Sequence, residues 1–226
     1  MSEPEWSAVR LSLELAATST LILLLLGTPM AWWLARSRSV LKPLCSALVT
    51  MPLVLPPTVL GFYLLLLIGP QGAVGQLTQS MGLGLLPFTF GGLVVASVLY
   101  SLPFVVQPLQ QAFEAIPERV LEAASSLRAS PLDRFFSVAL PMARPGLLSG
   151  AVLGFAHTVG EFGMVLMIGG NVPDKTRVIS VALYEHVEAG DLADAHRMAA
   201  GMVLFSLIIL LVLHSVNRAG REEVRP

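Results

Sequence analysis

The chain has 226 residues, of which 54% are hydrophobic and 13% are charged, and its formal net charge is −1. Since about a quarter of the residues in a soluble domain are charged, this composition excludes an ordinary soluble protein and predicts an integral membrane protein. The single cysteine, Cys45, excludes an internal disulfide and a cysteine-only metal site, and no basic stripe indicates a nucleic-acid partner. The N-terminal MSEPEW is acidic, so we expect no cleaved targeting peptide.

Five stretches are long and apolar enough to cross a bilayer, which takes about 20 mostly apolar residues. We therefore predict an all-α membrane protein with one transmembrane domain over residues 1–226 and five membrane-spanning helices. Charged residues inside these stretches are few, chiefly Glu14 and Glu161. The predicted spans cover residues 9–35, 44–68, 88–110, 145–169 and 198–216.

The Lys and Arg residues are distributed unevenly between the loops. Ten of the 14 follow the first span, lie in the central loop or follow the last span. Because cytoplasmic loops are enriched in Lys and Arg, this bias predicts the N-terminus outside and the C-terminus in the cytoplasm. The ten residues are Arg36, Arg38, Lys42, Arg119, Arg128, Arg134, Arg144, Arg218, Arg221 and Arg225.

Prolines fall inside two neighbouring spans. The second span has Pro52, Pro56 and Pro57, and the third has Pro103 and Pro108. Proline removes a backbone donor, and freed carbonyls in a membrane need cover from protein or from a water-lined cavity. We expect both helices to be interrupted beside a translocation path. A kink that only improves packing is the alternative.

The central loop has the pattern of two short helices. Residues 118–127 contain good helix formers, and Ser130 then serves as an N-cap with Pro131 at the first helical position. The second helix is expected to stop near Pro141. This hairpin, residues 117–141, is either a docking surface for a partner or an amphipathic segment lying on lipid headgroups.

Two ionisable residues, His157 and Glu161, lie four residues apart in the fourth span and therefore on one helix face. Ionisable groups at membrane depth are functional candidates. The pair fits either a proton relay of a secondary transporter or a structural pair beside the path.

Residues 169–176 nearly match a phosphate-binding loop. The segment has Asp174 where the motif requires glycine, and it follows a membrane span rather than a strand. We therefore expect no nucleotide hydrolysis by this chain, no catalytic residue, no metal site and no cofactor.

The hairpin resembles the EAA loop of ABC-importer permeases, a pattern of E-A-A, then G, then I-x-L-P. Glu122, Ala123 and Ala124 match its opening, and Leu140 and Pro141 match its end. Val138 replaces the isoleucine. Arg128 replaces the glycine, which serves a left-handed helix end in the family, and a non-glycine residue there is expected to cost about 1 kcal/mol.

Two further segments narrow the resemblance. LVTMPLVLPPTVLGFYLLLLIG and GEFGMVLMIGGNVPDKTRVISVALY resemble the permease subunits of molybdate importers, with sulfate-importer permeases as the next relatives. The resemblance implies a type I ABC-importer permease of the cell inner membrane with a cytoplasmic coupling hairpin. Molybdate is the expected substrate, and tungstate or sulfate is the alternative.

The resemblance also implies partners and roles. Two copies of the chain form the channel, two copies of an ATPase subunit grip the hairpin from the cytoplasm, and an extracytoplasmic protein delivers the oxyanion. The residues expected to couple to the ATPase are Glu122, Ala123, Ala124, Arg128, Leu140 and Pro141. The residues expected on the path or gate are Pro56, Pro57, Gly160, Glu161 and Gly163.

Overall fold

The computed structural model describes residues 3–222, and the side chains of residues 3–215, and it contains no strand in that part of the chain. The side chains of Arg218 and Arg221, and Arg225 altogether, lie outside the described residues. The helices are α1 (Glu3–Arg36), α2 (Lys42–Thr50), a 3₁₀ turn (Met51–Leu53), α3 (Pro57–Ile68), α4 (Ala73–Ser80), α5 (Phe90–Glu114), α6 (Glu118–Ser126), α7 (Pro131–Asp133), a π-helical segment (Arg134–Ala139), α8 (Leu140–Met142), α9 (Arg144–Gly160), α10 (Gly163–Gly169), α11 (Ile179–Glu188) and α12 (Leu192–Glu222).

Three of these helices are long and apolar enough to span a membrane: α1, α5 and the Leu192–Ser215 part of α12. Two bent pairs raise the number to five if each counts as one span. One pair joins Lys42–Leu53 to Pro57–Ile68 at 111°, and the other joins Pro131–Met142 to Arg144–Gly160 at 70°. The predicted all-α membrane fold is therefore confirmed, and its second span is sharply broken.

The core is a bundle of α1, α5 and α9. Its centre is apolar and fully buried, with Leu23, Val105 and Phe113 among its members. Glycines on α9 permit this packing, because a Cβ on Gly146 would lie 2.4 Å from the Ala112 Cβ, and one on Gly154 would lie 2.5 Å from Val105. Small residues at four-residue spacing commonly let membrane helices approach this closely.

The prediction for the third span was wrong in one respect. Helix α5 continues without a break through Pro103 and Pro108, which the sequence analysis expected to interrupt it. A membrane helix tolerates proline when neighbours cover the freed carbonyls. Here α9 lies directly against this stretch, since a Cβ on its Gly146 would be 2.8 Å from the Pro108 carbonyl oxygen.

The loops assigned to one side of the membrane meet at one end of the bundle. Lys42 lies 3.9 Å from Glu114, and Arg38 lies 3.8 Å from Glu118, so the first loop adjoins the hairpin. At the other end, the Ser12 hydroxyl accepts a 2.8 Å hydrogen bond from the Ile179 amide. The grouping of loops agrees with the predicted topology. Which end faces the cytoplasm stays a prediction.

Candidate functional site

The first hairpin helix, α6, ends in a left-handed residue at the position where sequence comparison with the EAA pattern expects glycine. Arg128 has φ of 62°, and its amide donates to the Ser125 carbonyl at 2.9 Å. The next amide, of Ala129, reaches back to the Ala124 carbonyl at 3.1 Å. These two bonds form a Schellman motif with Arg128 at its left-handed position. The expected backbone conformation is therefore present despite the missing glycine.

The second hairpin helix starts as predicted. The Ser130 side chain accepts a hydrogen bond from the Asp133 amide at 3.1 Å, and Pro131 occupies the first turn. The helix then continues through the π-helical segment to Met142. Arg134 joins the two halves of the hairpin, because its Nη1 donates to the Ser125 hydroxyl at 2.7 Å. The hairpin is thus capped at its bend and cross-linked between its arms.

A contact that the sequence analysis missed attaches the hairpin to α1. The Nη2 group of Arg36 donates to the carbonyls of Phe113 at 2.7 Å and Ile116 at 2.9 Å, where α5 ends. A cation is favoured at a helix C-terminus, where carbonyls lack intrahelical partners. Nearby, the Trp32 ring packs edge-on against Phe113 and Phe135, at 5.2 and 5.5 Å between centroids. Helix α1 is therefore bound to the end of α5, where the hairpin begins, and to the second arm of the hairpin at Phe135.

The outer surface of the hairpin is unusually apolar for a charged loop. Leu127, Leu132 and Phe136 are 84%, 71% and 59% exposed, and Glu122 and Ala123 of α6 are exposed as well. Large exposed apolar groups rimmed by polar ones mark interaction sites. A cavity of 320 Å³ lies on the α1 side of the hairpin, and Arg36, Glu118, Glu122 and Arg134 are among its lining residues. The sequence alone did not show that these three apolar residues are exposed, because exposure depends on which helices pack against the hairpin.

Of the other predicted coupling residues, Ala124, Leu140 and Pro141 are half-buried. Leu140 packs against the bundle core from the far end of the hairpin. These residues therefore lie between the exposed surface and the bundle, where they connect the two.

The five predicted path residues lie at two helix breaks that the fold brings together. Pro56 is the extended residue before α3, and Pro57 is its first residue. Gly160 ends α9, and Gly163 begins α10. A Cβ on Gly163 would lie 3.1 Å from the Pro57 Cβ, so the N-terminal ends of α3 and α10 are in direct contact.

Glu161 stabilises the second break. Its two carboxylate oxygens accept hydrogen bonds from the amides of Met164 at 2.9 Å and Val165 at 3.0 Å, at the start of α10. The Ser180 hydroxyl donates to its main-chain carbonyl at 2.6 Å. A carboxylate at a helix N-terminus accepts hydrogen bonds from free amides and interacts favourably with the positive end of the helix dipole. This geometry favours the structural alternative for Glu161.

His157 lies in a small network of its own on the seam between α5 and α9. Its Nδ1 is 2.9 Å from the Ser101 hydroxyl, which is 3.0 Å from the Thr158 hydroxyl. The ring stacks on Phe104 at 3.9 Å between centroids and contacts Tyr100 at 5.1 Å. No hydrogen bond between residues of the described part of the chain joins His157 to Glu161, whose carboxylate is bound to two amides instead.

The segment that resembles a phosphate-binding loop is closed upon itself. The buried Thr176 hydroxyl donates to the Gly169 carbonyl at 2.6 Å and accepts from the Val172 amide at 3.2 Å. Asp174 adopts φ of 61° and accepts a hydrogen bond from the Ser7 hydroxyl at 2.5 Å. These side chains hold the loop against α1 and do not surround a phosphate-sized space.

One group of side chains has metal-ligand chemistry. Ligand atoms of His186, Asp191 and Asp194 lie within 4.8 Å of one another. Asp191, however, caps α12 through the Asp194 amide at 3.4 Å, and Asp194 is paired with Arg197. The helix start therefore accounts for both carboxylates without an ion.

Comparison with known proteins gives a consistent assignment. Residues 24–221 match the family model described as "Binding-protein-dependent transport system inner membrane component". The chain is 65% identical over 218 residues to the molybdenum transport system permease protein ModB of Azotobacter vinelandii, covering 96% of each chain. It is 33% identical over 224 residues to ModB of Escherichia coli K12, covering 99% of this chain and 98% of that one.

Sulfate permeases are also similar to the chain. The sulfate transport system permease protein CysT of Synechocystis is 35% identical over 197 residues, covering 87% of this chain and 68% of CysT. Among solved structures, the chain is similar to a bacterial ABC transporter that imports the acidic polysaccharide alginate, with a TM-score of 0.74 at 17% identity. The alignment covers 100% of this chain and 82% of the transporter chain. Its complex with a pentasaccharide-bound periplasmic protein aligns with a TM-score of 0.73 at 16% identity, over 100% of this chain and 81% of that one. At these identities the structures establish the fold alone.

Proposed function

The chain belongs to the family of binding-protein-dependent transport system inner membrane components, and from that membership we propose that it is the membrane-spanning permease subunit of an ATP-driven molybdate importer. The observation that supports this substrate is the 65% identity to a molybdenum permease over 96% of both chains. The sulfate permeases are more distant, since CysT matches 197 residues and 68% of its own length, whereas the molybdenum permease of Escherichia coli matches 224 residues and 98% of its length. Tungstate or sulfate is therefore the alternative substrate.

In this proposal the hairpin is the docking site for a separate ATPase subunit in the cytoplasm. Its exposed Leu127, Leu132 and Phe136 supply apolar area, and Glu122 and Ala123 are exposed on its first arm. A docked partner would move a unit that is capped at Ser130 and cross-linked by Arg134. The hairpin continues directly into α9 and follows α5, so its displacement tilts both helices.

Two copies of the chain would enclose the path, and an extracytoplasmic binding protein would deliver the anion. The broken helices at Pro57 and Gly163 are the expected gate, because irregular backbone at membrane depth is tolerated where it lines a cavity or is covered by protein. A periplasmic protein bound to the similar alginate transporter supports such a delivery partner. The N-terminus would then lie outside and the C-terminus in the cytoplasm.

The experiment that tests the proposal is ATP-driven uptake into vesicles. The permease would be reconstituted with its ATPase subunit, with ATP inside the vesicles and the binding protein outside. We expect accumulation of labelled molybdate that requires ATP and the binding protein, and that excess unlabelled sulfate does not suppress. Sulfate accumulation without molybdate uptake would show that sulfate is the substrate. Uptake driven by a pH gradient without ATP would refute the proposal of an ATP-driven importer.

A further inference from the structure

The seam between α5 and α9 presents polar groups at membrane depth on a face that this chain leaves partly open. Tyr100 and His157 are only half-buried, and Gly160, one turn beyond His157, is exposed with open space around it. His157 is about 20 Å along α9 from Arg144, at 1.5 Å per residue, which places it inside the hydrocarbon layer. Polar side chains at this depth face a partner helix or water rather than lipid.

The hydrogen bonds of His157 define which ring nitrogen is free. The Thr158 hydroxyl donates its proton to the Gly154 carbonyl at 3.0 Å, so the bond between Ser101 and Thr158 must use the Ser101 proton. The 2.9 Å bond between Ser101 and His157 must therefore use a proton on Nδ1. The neutral ring then has its lone pair on Nε2, for which no described residue of the chain provides a hydrogen-bond partner.

The position of His157 is also distinctive in charge. In α3, α5, α9 and α10, Lys and Arg are absent except for Arg144 at the first residue of α9, and His157 is the sole histidine. A dianion inside a low-dielectric path is costly unless a positive group or a donor faces it. The one side chain of these four helices that can become cationic at that depth is therefore the one with a free nitrogen on the open seam.

We propose that His157 is a direct contact for the oxyanion on the translocation path, an inference that rests on the proposed function. As the dianion arrives, Nε2 takes up a proton that reaches it as hydronium through water in the path, and the resulting imidazolium donates its Nε2–H to an oxyanion oxygen. The Nδ1–H group donates to the Ser101 hydroxyl throughout. The proton on Nε2 returns to water when the anion leaves. Phe104 holds the ring plane through its stacking contact. The other titratable groups nearby are Tyr100 on α5 and Glu161, whose carboxylate is occupied by two amides.

Substitution of His157 in the complete importer tests this contact. His157→Gln keeps a hydrogen-bonding side chain without a charge, and His157→Arg provides a permanent cation. His214→Gln is the matched control, because His214 lies on α12 and its Nδ1 contacts the Leu210 carbonyl. ATP-driven molybdate uptake and ATP hydrolysis would be measured in the same vesicles between about pH 6 and pH 8.

We expect wild-type and His214→Gln uptake to fall as pH rises. His157→Gln should lower uptake about tenfold at the acidic end and flatten the pH profile, the loss expected for one charge-assisted hydrogen bond. His157→Arg should keep uptake and also lose the pH dependence, while ATP hydrolysis stays near the wild-type rate in both. The contact is refuted if His157→Gln matches the control at every pH, or if its uptake and ATP hydrolysis fall together.

The wild-type arm separates this inference from the proposed function. Sulfate uptake with the same dependence on His157 would show that sulfate is the substrate and would support the contact between His157 and the anion. Absence of ATP-driven uptake of either anion by the wild-type complex would refute both.

Discussion

Replacing Arg128 by glycine should stabilise the bend of the hairpin. Arg128 is the C′ residue of the Schellman motif at the end of α6, with φ of 62°. Its side chain is exposed and makes no hydrogen bond or ion pair with another described residue, and two backbone hydrogen bonds close the motif at 2.9 and 3.1 Å. The substitution therefore relieves a left-handed conformation without removing a specific interaction of the described residues.

The magnitude follows from two opposing effects. A left-handed backbone costs a residue with a Cβ roughly 1–2 kcal/mol, which glycine avoids. Glycine gains more chain entropy when the bend opens, which offsets roughly 0.5–1 kcal/mol. The net stabilisation is about 0.5–1 kcal/mol, equivalent to a local opening that is about two- to fivefold rarer.

Hydrogen exchange of the isolated permease in nanodiscs measures this opening. The informative amide is that of Ala129, which donates to the Ala124 carbonyl. Its exchange should slow about two- to fivefold in Arg128→Gly after correction for intrinsic rates. Arg128→Ala removes the same charge but keeps the Cβ, and should leave the rate near wild type. Equal slowing in both variants would show that charge rather than backbone strain limits the bend, and the reasoning would be wrong.

Three further substitutions test the hairpin and the helix break. Ala123→Trp should abolish ATP-driven uptake by blocking close approach of the ATPase, while the chain still inserts into the membrane; normal uptake would contradict docking at this surface. Glu161→Gln keeps at most one of the two hydrogen bonds to the amides of α10, so the free energy of unfolding should fall by about 1 kcal/mol while most uptake is retained. If uptake is lost and the proton dependence of uptake is lost with it, the secondary-transporter alternative is supported. Arg36→Met should lower the number of anions moved per ATP severalfold, because uptake falls while ATP hydrolysis persists. Arg38→Met is the control and should leave that ratio unchanged, because the contact of Arg38 with Glu118 is long and exposed.

The contact made by Arg36 changes how motion of the hairpin reaches the membrane. In the proposed function that motion is passed to the helices on either side of the hairpin, α5 and α9. Arg36 and Trp32 extend the attachment to α1, through carbonyl contacts and edge-on ring packing. Because α1 also packs along α5 and α9 over much of its length, all three core helices would move as a unit.

Local patterns predicted the hairpin well. Ser130 caps the second helix, Pro131 begins it, and the backbone of Arg128 is left-handed, all as residue chemistry and the EAA resemblance indicated. Such features depend on contacts within a few residues, so a sequence contains most of the information about them. The same holds for the break before Pro57, since the residue before a proline is driven out of the helical region.

Long-range contacts were a different matter. The sequence predicts interruptions at Pro103 and Pro108, yet α5 is continuous, and α9 lies directly against it there. Nothing near Arg36 in sequence indicated that its guanidinium would reach carbonyls 77 and 80 positions further along the chain.

Composition, hydropathy and charge distribution thus determined that this is a helical membrane protein with a polar hairpin, because burial in lipid constrains every residue of a span in the same way. Tertiary structure alone decided which interruptions are real, that Pro57 meets Gly163, and that Glu161 caps one broken helix while His157 stands on an open seam. Each of these outcomes depends on which helix lies alongside, and helix partners are selected by shape across distant parts of the chain.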